Sequence, residues 1–499
     1  LPLRTRYARA LRMVVLVAAA AATTVRADDT PAASAAWRPV VTGQLKNGVR
    51  YAILPRTGKE PGIGLLLRNA GGFIAERRPG ERGLAHLIEH IVFASPVRAA
   101  PDDLHHFPRI GLPLTFPAPT AGSTSWRESN YFLSTRTTRP VDLDTLLGLF
   151  REAVGDLTFR ADAVDGERAS VMREMADKKS GNAIFADYIA AVAPGSPNDV
   201  IDAQNSDDVP TASIATLRAL YHRLYQPRAT MIVVVGNVDV GQTRALIERR
   251  FGDWTATGPT AVPAPPPMIH ADRIAPVSVS SQAGGRRTAL VTVTMPTPAV
   301  PRTRQRQAEV TLMDLLAVRA VGDRLAAAQS ASPPGKVGAF IENGDPGFRQ
   351  IMLWDNFTGD QWRPALSGVR SLTCRLVTVG FSAPEWAAAR TNVIRDLDQR
   401  SANMADMANV ELAKDLSHAV ADGRDLIPPD ELLRHARAWL PTVSVKDGNR
   451  WWRRQWRAGP VHVRVEGPEL AAVPDAVGVV RAVADQAADD AGCGGTTRG

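Results

Sequence analysis

The sequence predicts an α+β protein of two related domains, and three observations predict it. A proline-rich stretch at 255–276 (TATGPTAVPAPPPMIHADRIAP) divides a chain of 499 residues, too long for one ordinary core. Strand and helix signals interleave on its N-terminal side. A helix pattern in the first part also recurs in the second.

The elements follow in order. Residues 44–55 (QLKNGVRYAILP) read as two short strands around Asn47-Gly48, a strong hairpin signal. Residues 62–68 and 129–135 are further strand candidates. Residues 81–94 show the apolar periodicity of a helix, as do 142–155 and 161–179. Residues 99–119, rich in proline and histidine, read as a loop. Residues 231–235 (MIVVV) read as a buried strand, followed by a turn at Gly236-Asn237 and a helix to Arg250. The stretch 255–276 reads as a semi-rigid spacer, because proline fixes φ and removes a backbone donor. This gives a first domain over 28–254, a second over 277–480, and a disordered alanine- and glycine-rich tail over 481–499.

The recurrence lies at 159–175 (FRADAVDGERASVMREM) and 381–397 (FSAPEWAAARTNVIRDL), which align without a gap and place Glu174 opposite Asp396. The same offset places His86, Glu89 and His90 opposite Ala308, Thr311 and Leu312. A second copy would then keep the scaffold without the chemistry.

Residues 1–27 have the anatomy of a secretory signal peptide. Arg4, Arg6, Arg9 and Arg12 form a basic head, an apolar run covers 13–22, and Val25 and Ala27 offer small side chains at a cleavage site. The run is short for a membrane span. The expected location is periplasmic or secreted, without stable membrane insertion. Removing the five arginines of 1–27 from the formal charge of +8 leaves +3, too little to argue for nucleic-acid binding. Of the two cysteines, Cys374 sits in an apolar stretch and Cys493 in a polar tail. An oxidising compartment would permit a bridge, but their placement gives no reason to expect one, and they lack zinc-site spacing.

The chemistry is carried by His86-Leu87-Ile88-Glu89-His90 on the predicted helix. Residues four apart share a face, so both imidazoles can reach one ion, with Glu89 beside them. A catalytic zinc takes three protein ligands of this kind and one open water position. Two surface histidines flanking a glutamate would give the same letters, so the surroundings matter.

Those surroundings resemble peptidase family M16, the pitrilysin and mitochondrial-processing-peptidase-like family. Ala70-Gly71-Gly72, Glu76 and Gly83 through Phe93 resemble its signature around the zinc helix. Leu45-Lys46-Asn47-Gly48 resembles its opening hairpin, and 122–131 (GSTSWRESNY) a degenerate form of its substrate-edge strand. Residues 225–239 and 251–254 are similar to the close of its first domain. The resemblance covers about 40–255 well and the second half loosely. It implies two domains, each a mostly antiparallel sheet packed with helices, the second degenerate. It implies one zinc ion per chain held by His86, His90 and Glu174, with Glu89 as the base that activates water. Glu167, seven residues before Glu174 and on the same helix face, is implied to orient the site. The gap from His90 to Glu174 is longer than the family usually shows, and the edge strand lacks the family's Asn-Ala pair.

The implied activity is zinc-dependent endopeptidase cleavage of peptides or unfolded protein segments. Family members close a chamber from two halves, so a homodimer or a second M16-like half is the expected partner. The alternatives are a non-catalytic scaffold or peptide-binding subunit, which usually loses a ligand or the base, and a structural zinc domain, which has no need of Glu89. His105 and His106 lack partner spacing for a ligand role. The run Trp451 to Arg457 (WWRRQWR) suits a packed helix better than a nucleic-acid or membrane surface.

Overall fold

The hairpin signal at Asn47-Gly48 is realised where it was expected. In the computed structural model, Gly48 takes φ +100° and Leu45 N–H bonds Val49 O at 2.8 Å. The Asn47 side chain donates to the carbonyls of Phe251 (2.6 Å) and Trp254 (3.0 Å), tying the turn to the end of a later helix. The structure describes residues 37–98, 122–201, 205–258, 267–282, 286–328, 337–343 and 347–493. The expected signal peptide at 1–27, the loop histidines His105 and His106, and part of the proline-rich spacer lie outside these residues. Among the described residues, no helix is long and apolar enough to cross a membrane.

The first sheet is built from β1 (Val41–Gln44), β2 (Arg50–Pro55), β3 (Ile63–Ala70), β4 (Gly122–Thr124), β5 (Glu128–Thr135) and β6 (Thr230–Gly236). Its helices are α1 (Leu84–Ala94), α2 (Pro140–Gly155), α3 (Ala161–Val192), α4 (Pro197–Val200), α5 (Ile214–Leu224) and α6 (Val240–Phe251). The second sheet comprises β7 (Val277–Ser280), β8 (Thr288–Met295), β9 (Val337–Asn343), β10 (Arg349–Asn356) and β11 (Val461–Glu466). With it go α7 (Arg304–Ala328), α8 (Trp362–Thr378), α9 (Ala383–Ala402), α10 (Asn409–Ala421), α11 (Pro429–Trp439), α12 (Val445–Trp456) and α13 (Ala476–Asp490).

The strand orders are β1-β2-β6-β3-β5-β4 and β7-β11-β8-β10-β9. Apart from β1, the second order repeats the first strand for strand. In each sheet the first strand of the repeat pairs parallel (β2 with β6, β7 with β11) and every later pair is antiparallel. The helices repeat as well. Helix α1 between β3 and β4 corresponds to α7 between β8 and β9, and α3 and α9 begin at Ala161 and Ala383, the offset of the sequence match. In the second copy Ala308 and Leu312 are buried in the core, and Asp396 accepts a bond from Arg319 at 2.7 Å. An ion pair there occupies the carboxylate that aligns with Glu174.

Strands β3 and β6 are buried on both faces, which explains the nearly continuous apolar run of 231–235. Leu65, Leu67, Ile232 and Val234 face the main core with α1. Leu66, Met231, Val233 and Val235 face Val410, Leu412, Ala413 and Leu416 of α10. A helix of the second repeat therefore covers the outer face of the first sheet. Its start sits so close that a Cβ on Gly64 would lie 2.4 Å from the Asn409 backbone. Buried Arg56 fixes this junction by donating to the carbonyls of Met404 (3.1 Å) and Met407 (2.6 Å).

Three expectations are corrected. Helix α3 does not stop near Lys179. It continues to Val192, because Ile189 and Val192 dock with Ile269 and Phe348, and Asp187 pairs with buried Arg464 at 2.6 Å. The tail from 481 is not disordered as far as Cys493. Helix α13 buries Val480, Ala484, Ala487 and Ala488, a face of small residues that composition alone reads as low complexity. The cysteines do pair: Cys374 on α8 and Cys493 after α13 form a disulfide with Cα atoms 5.9 Å apart, since packing of α13 on α8 brings them together.

Candidate metal centre

Helix α1 is positioned from its first turn. Gly83 precedes it at φ +82°, and a Cβ there would lie 2.8 Å from Ser206 Cα. The Glu76 carboxylate accepts from Gly83 N–H (2.9 Å) and Ala85 N–H (2.7 Å), satisfying donors that the helix start leaves open. Burial pushes the Glu76 carboxyl up to about 8 against those two donors, with Glu81 and Asp208 adding to the rise. Leu84, Leu87, Ile88, Ile91 and Val92 are buried in the core. His86 and His90 stand on the face left over, rings 4.9 Å apart and nearly perpendicular.

Helix α3 lies against α1 and brings two carboxylates to the histidines. Glu174 Oε2 is 3.4 Å from His90 Nε2, and Glu174 Oε1 is 3.8 Å from His86 Nε2. Glu167 Oε2 lies 3.0 Å from His90 Nδ1. Among the described residues, His86, His90 and Glu174 form the group of His, Cys, Asp and Glu side chains able to share one ion. Zinc bonded at ~2.0–2.1 Å in tetrahedral geometry needs donors about 3.4 Å apart. The donors present, two imidazole nitrogens and a carboxylate at 3.4 and 3.8 Å, fit that ion.

Glu89 is 8% exposed on the same helix. Strand β4 closes over it: a Cβ on Gly122 would lie 2.6 Å from Glu89 Oε1. Beneath, the buried hydroxyls of Tyr131 and Tyr225 hydrogen-bond to each other. Burial raises both phenols first, and the nearby Glu89 charge raises them further, so they remain neutral.

The structure thus brings His86, Glu89, His90, Glu167 and Glu174 into one site. Residues that sequence reasoning did not single out complete it. Lys178 contacts Glu174 Oε1, and its position four residues on was a legible helix-pair signal. Gly122 and the Tyr131–Tyr225 pair come from strand and helix ends whose juxtaposition no local pattern encodes. In the WWRRQWR run, Trp452 and Trp456 are buried in the second core, so it is part of a packed helix.

A zinc-type donor set beside the edge of a mostly antiparallel sheet, followed along the chain by a copy of that sheet without the donor set, resembles the arrangement expected of an M16 peptidase. Over part of its length the chain is similar to proteins of that family. Residues 211–329 match the family model described as Peptidase M16 inactive domain, a match that begins after the donor set. The chain is 29% identical over 215 residues to the probable zinc protease PqqL of Escherichia coli K12, covering 42% of this chain and 22% of that protein. It is 24% identical over 225 residues to the zinc protease PqqE of Helicobacter pylori, covering 44% of this chain and 48% of that one. The chain therefore spans between about a fifth and a half of these relatives. The crystal structure of the periplasmic protease PqqL from Escherichia coli superimposes with TM-score 0.76 at 20% identity, over 92% of this chain and 51% of that one. The structure of its first half gives TM-score 0.76 at 21% identity, over 90% and 97%.

Proposed function

We propose that this chain is the zinc-bearing half of an exported peptidase that hydrolyses peptides or unfolded protein segments. The observation that carries the proposal is the convergence of His86, His90 and Glu174 beside buried Glu89. His86 and His90 through Nε2, and Glu174 through a carboxylate oxygen, would hold zinc. When bound, the ion would polarise the scissile carbonyl and lower the pKa of its water toward ~7.

The remaining work falls to the protein. Glu167 holds His90 by Nδ1, which leaves Nε2 as the donor nitrogen. Glu89 takes the proton of the attacking water, keeps it on its carboxylate, and delivers it to the departing amine nitrogen. Burial of Glu89 under β4 keeps its carboxylate out of bulk water. Strand β4 is the edge of the first sheet, and an extended peptide adding to it would pass over Glu89. Unstructured substrates suit that mode.

A second half, as another copy of this chain or a separate M16-like chain, would complete the chamber. The first-half architecture shared with the longer PqqL chain supports this reading. The signal-like 1–27 and the Cys374–Cys493 bridge support export to an oxidising compartment. A second reading, a non-catalytic peptide-binding subunit, draws on the inactive-domain match at 211–329. The intact base and donor set favour the first.

Zinc content of the purified chain tests the proposal. The wild type should carry about one ion, and His86→Ala or Glu174→Ala should lose it while keeping the wild-type circular dichroism spectrum and a melt close to that of chelated wild type. Equal zinc in all three would reject the assigned donors.

A further inference from the structure

The WWRRQWR helix has a second face that the core does not use. On α12 and the residue that follows it, Lys446, Asn449, Arg450, Arg453, Arg454 and Arg457 recur at helical spacing and line an open groove of about 750 Å³. No acidic side chain lines it. Residues 446–457 carry five cations and one acid, a net +4, half of the formal charge of the whole chain.

The members of the stripe differ in role. Asn449 is fixed by two bonds to the Phe381 backbone, at 2.6 and 3.1 Å. Arg453 donates to the carbonyls of Val377, Thr378 and Val379, capping the end of α8. These two brace the helix. Lys446, Arg450, Arg454 and Arg457 are exposed. Arg450 reaches Asp447 only at 3.6 Å, and among the described residues the other three form no ion pair. Next to the stripe Val379 is 74% exposed, and half-buried Trp451 flanks it.

We propose that this face of α12 docks the protein on a membrane surface bearing anionic phospholipid. Four exposed cations on one side of a helix match a diffuse layer of phosphate charge. An exposed valine and an indole at the border suit the headgroup boundary. Recognition of one acidic peptide would need guanidinium forks held in place, and the exposed arginines are not so held. Single-stranded nucleic acid would need several exposed aromatic faces for stacking, and of the three tryptophans here Trp452 and Trp456 are buried. The helix keeps its apolar face in the core, so the docking is electrostatic and peripheral.

The test is co-sedimentation of the full chain with vesicles of phosphatidylcholine, with and without phosphatidylglycerol. The comparison variant is Lys446→Glu/Arg450→Glu/Arg454→Glu, which spares Asn449 and Arg453. Each cation near such a surface contributes about fivefold to partitioning, so loss of the three cations alone should lower binding to anionic vesicles on the order of a hundredfold, and the three introduced carboxylates should lower it further. Added salt should release the wild type, and the variant should keep its thermal melt and zinc content. No sedimentation with anionic vesicles, or equal sedimentation of wild type and variant, overturns the proposal. Binding of wild type to a polyglutamate peptide but not to vesicles also overturns it, in favour of an acidic protein partner. Should the triple variant fail to fold, Arg454→Gln alone should still reduce binding about fivefold.

Discussion

Glu167 Oε2 sits 3.0 Å from His90 Nδ1, while Glu174 Oε2 sits 3.4 Å from His90 Nε2, so one imidazole is held at both nitrogens by two carboxylates of the same helix. A histidine oriented through its outer nitrogen presents the inner one ready for an ion. Glu167→Ala should weaken zinc affinity about 10–100-fold while the protein stays folded. Competition with a chromogenic chelator measures this, and unchanged affinity would remove Glu167 from the site.

Lys178 contacts the Glu174 carboxylate. An ion binding there must displace or tolerate that ammonium. Lys178→Met should therefore tighten zinc binding, by about tenfold if the pair behaves as an ordinary close charge pair. Weaker binding in the variant would mean that Lys178 braces Glu174 rather than competing for it.

The Gly122 position has no room for a side chain, since a Cβ would lie 2.6 Å from Glu89 Oε1. Gly122→Ala should move Glu89 or the edge strand, and a misplacement of about 1 Å costs roughly a hundredfold in rate. Steady-state peptide cleavage should fall by that order with zinc content unchanged. Normal turnover would show that β4 does not set the position of the base.

Legibility in the sequence followed range. The zinc helix, the hairpin and the buried strand were readable because each is encoded over a few residues, by the H-x-x-E-H spacing, Asn47-Gly48 and MIVVV. Glu174 and Glu167 were placed by resemblance, and their shared helix face followed from spacing. What could not be read depends on tertiary packing. The extension of α3 past Ser180-Gly181-Asn182, which locally resembles a stop, is held by the distant Asp187–Arg464 pair. The Cys374–Cys493 bridge depends on α13, whose alanine face gives a weak apolar signal. The covering of the first sheet by α10 crosses the repeat boundary, and no periodicity announces it.

The pH dependence of stability has a defined window. Burial pushes the His462 imidazole down to about 4, with Arg464 adding to the fall, while Ala275 O opposes it. The neutral ring is satisfied by Ala275 O at Nδ1 and by Ser278 Oγ at Nε2, 2.9 Å away. An unfolded histidine titrates near 6.5, so between about 6.5 and 4 the unfolded chain binds more protons. The contribution of this group is therefore full above about pH 6.5 and is lost as pH drops to 4, by about 3 kcal/mol. Glu128 extends the loss. Burial raises its carboxyl, but the His418 hydrogen bond, Arg68 and Arg127 outweigh that and hold it at about 2. Its contribution is present above about pH 4.5 and is lost toward 2. Urea unfolding at pH 7 and 5 should show a smaller drop for His462→Gln than for wild type. Equal drops would place the titrating group elsewhere.

The central claim is that Glu89 and a metal held by His86, His90 and Glu174 cleave peptide bonds. The most direct measurement is cleavage of a long, unstructured peptide by the purified chain, with chelator, with zinc restored, and with Glu89→Gln. The account predicts cleavage that stops with chelator, returns with zinc, and is absent from a Glu89→Gln protein that still holds zinc. Undiminished cleavage by Glu89→Gln, or by the chelated wild type, would contradict it.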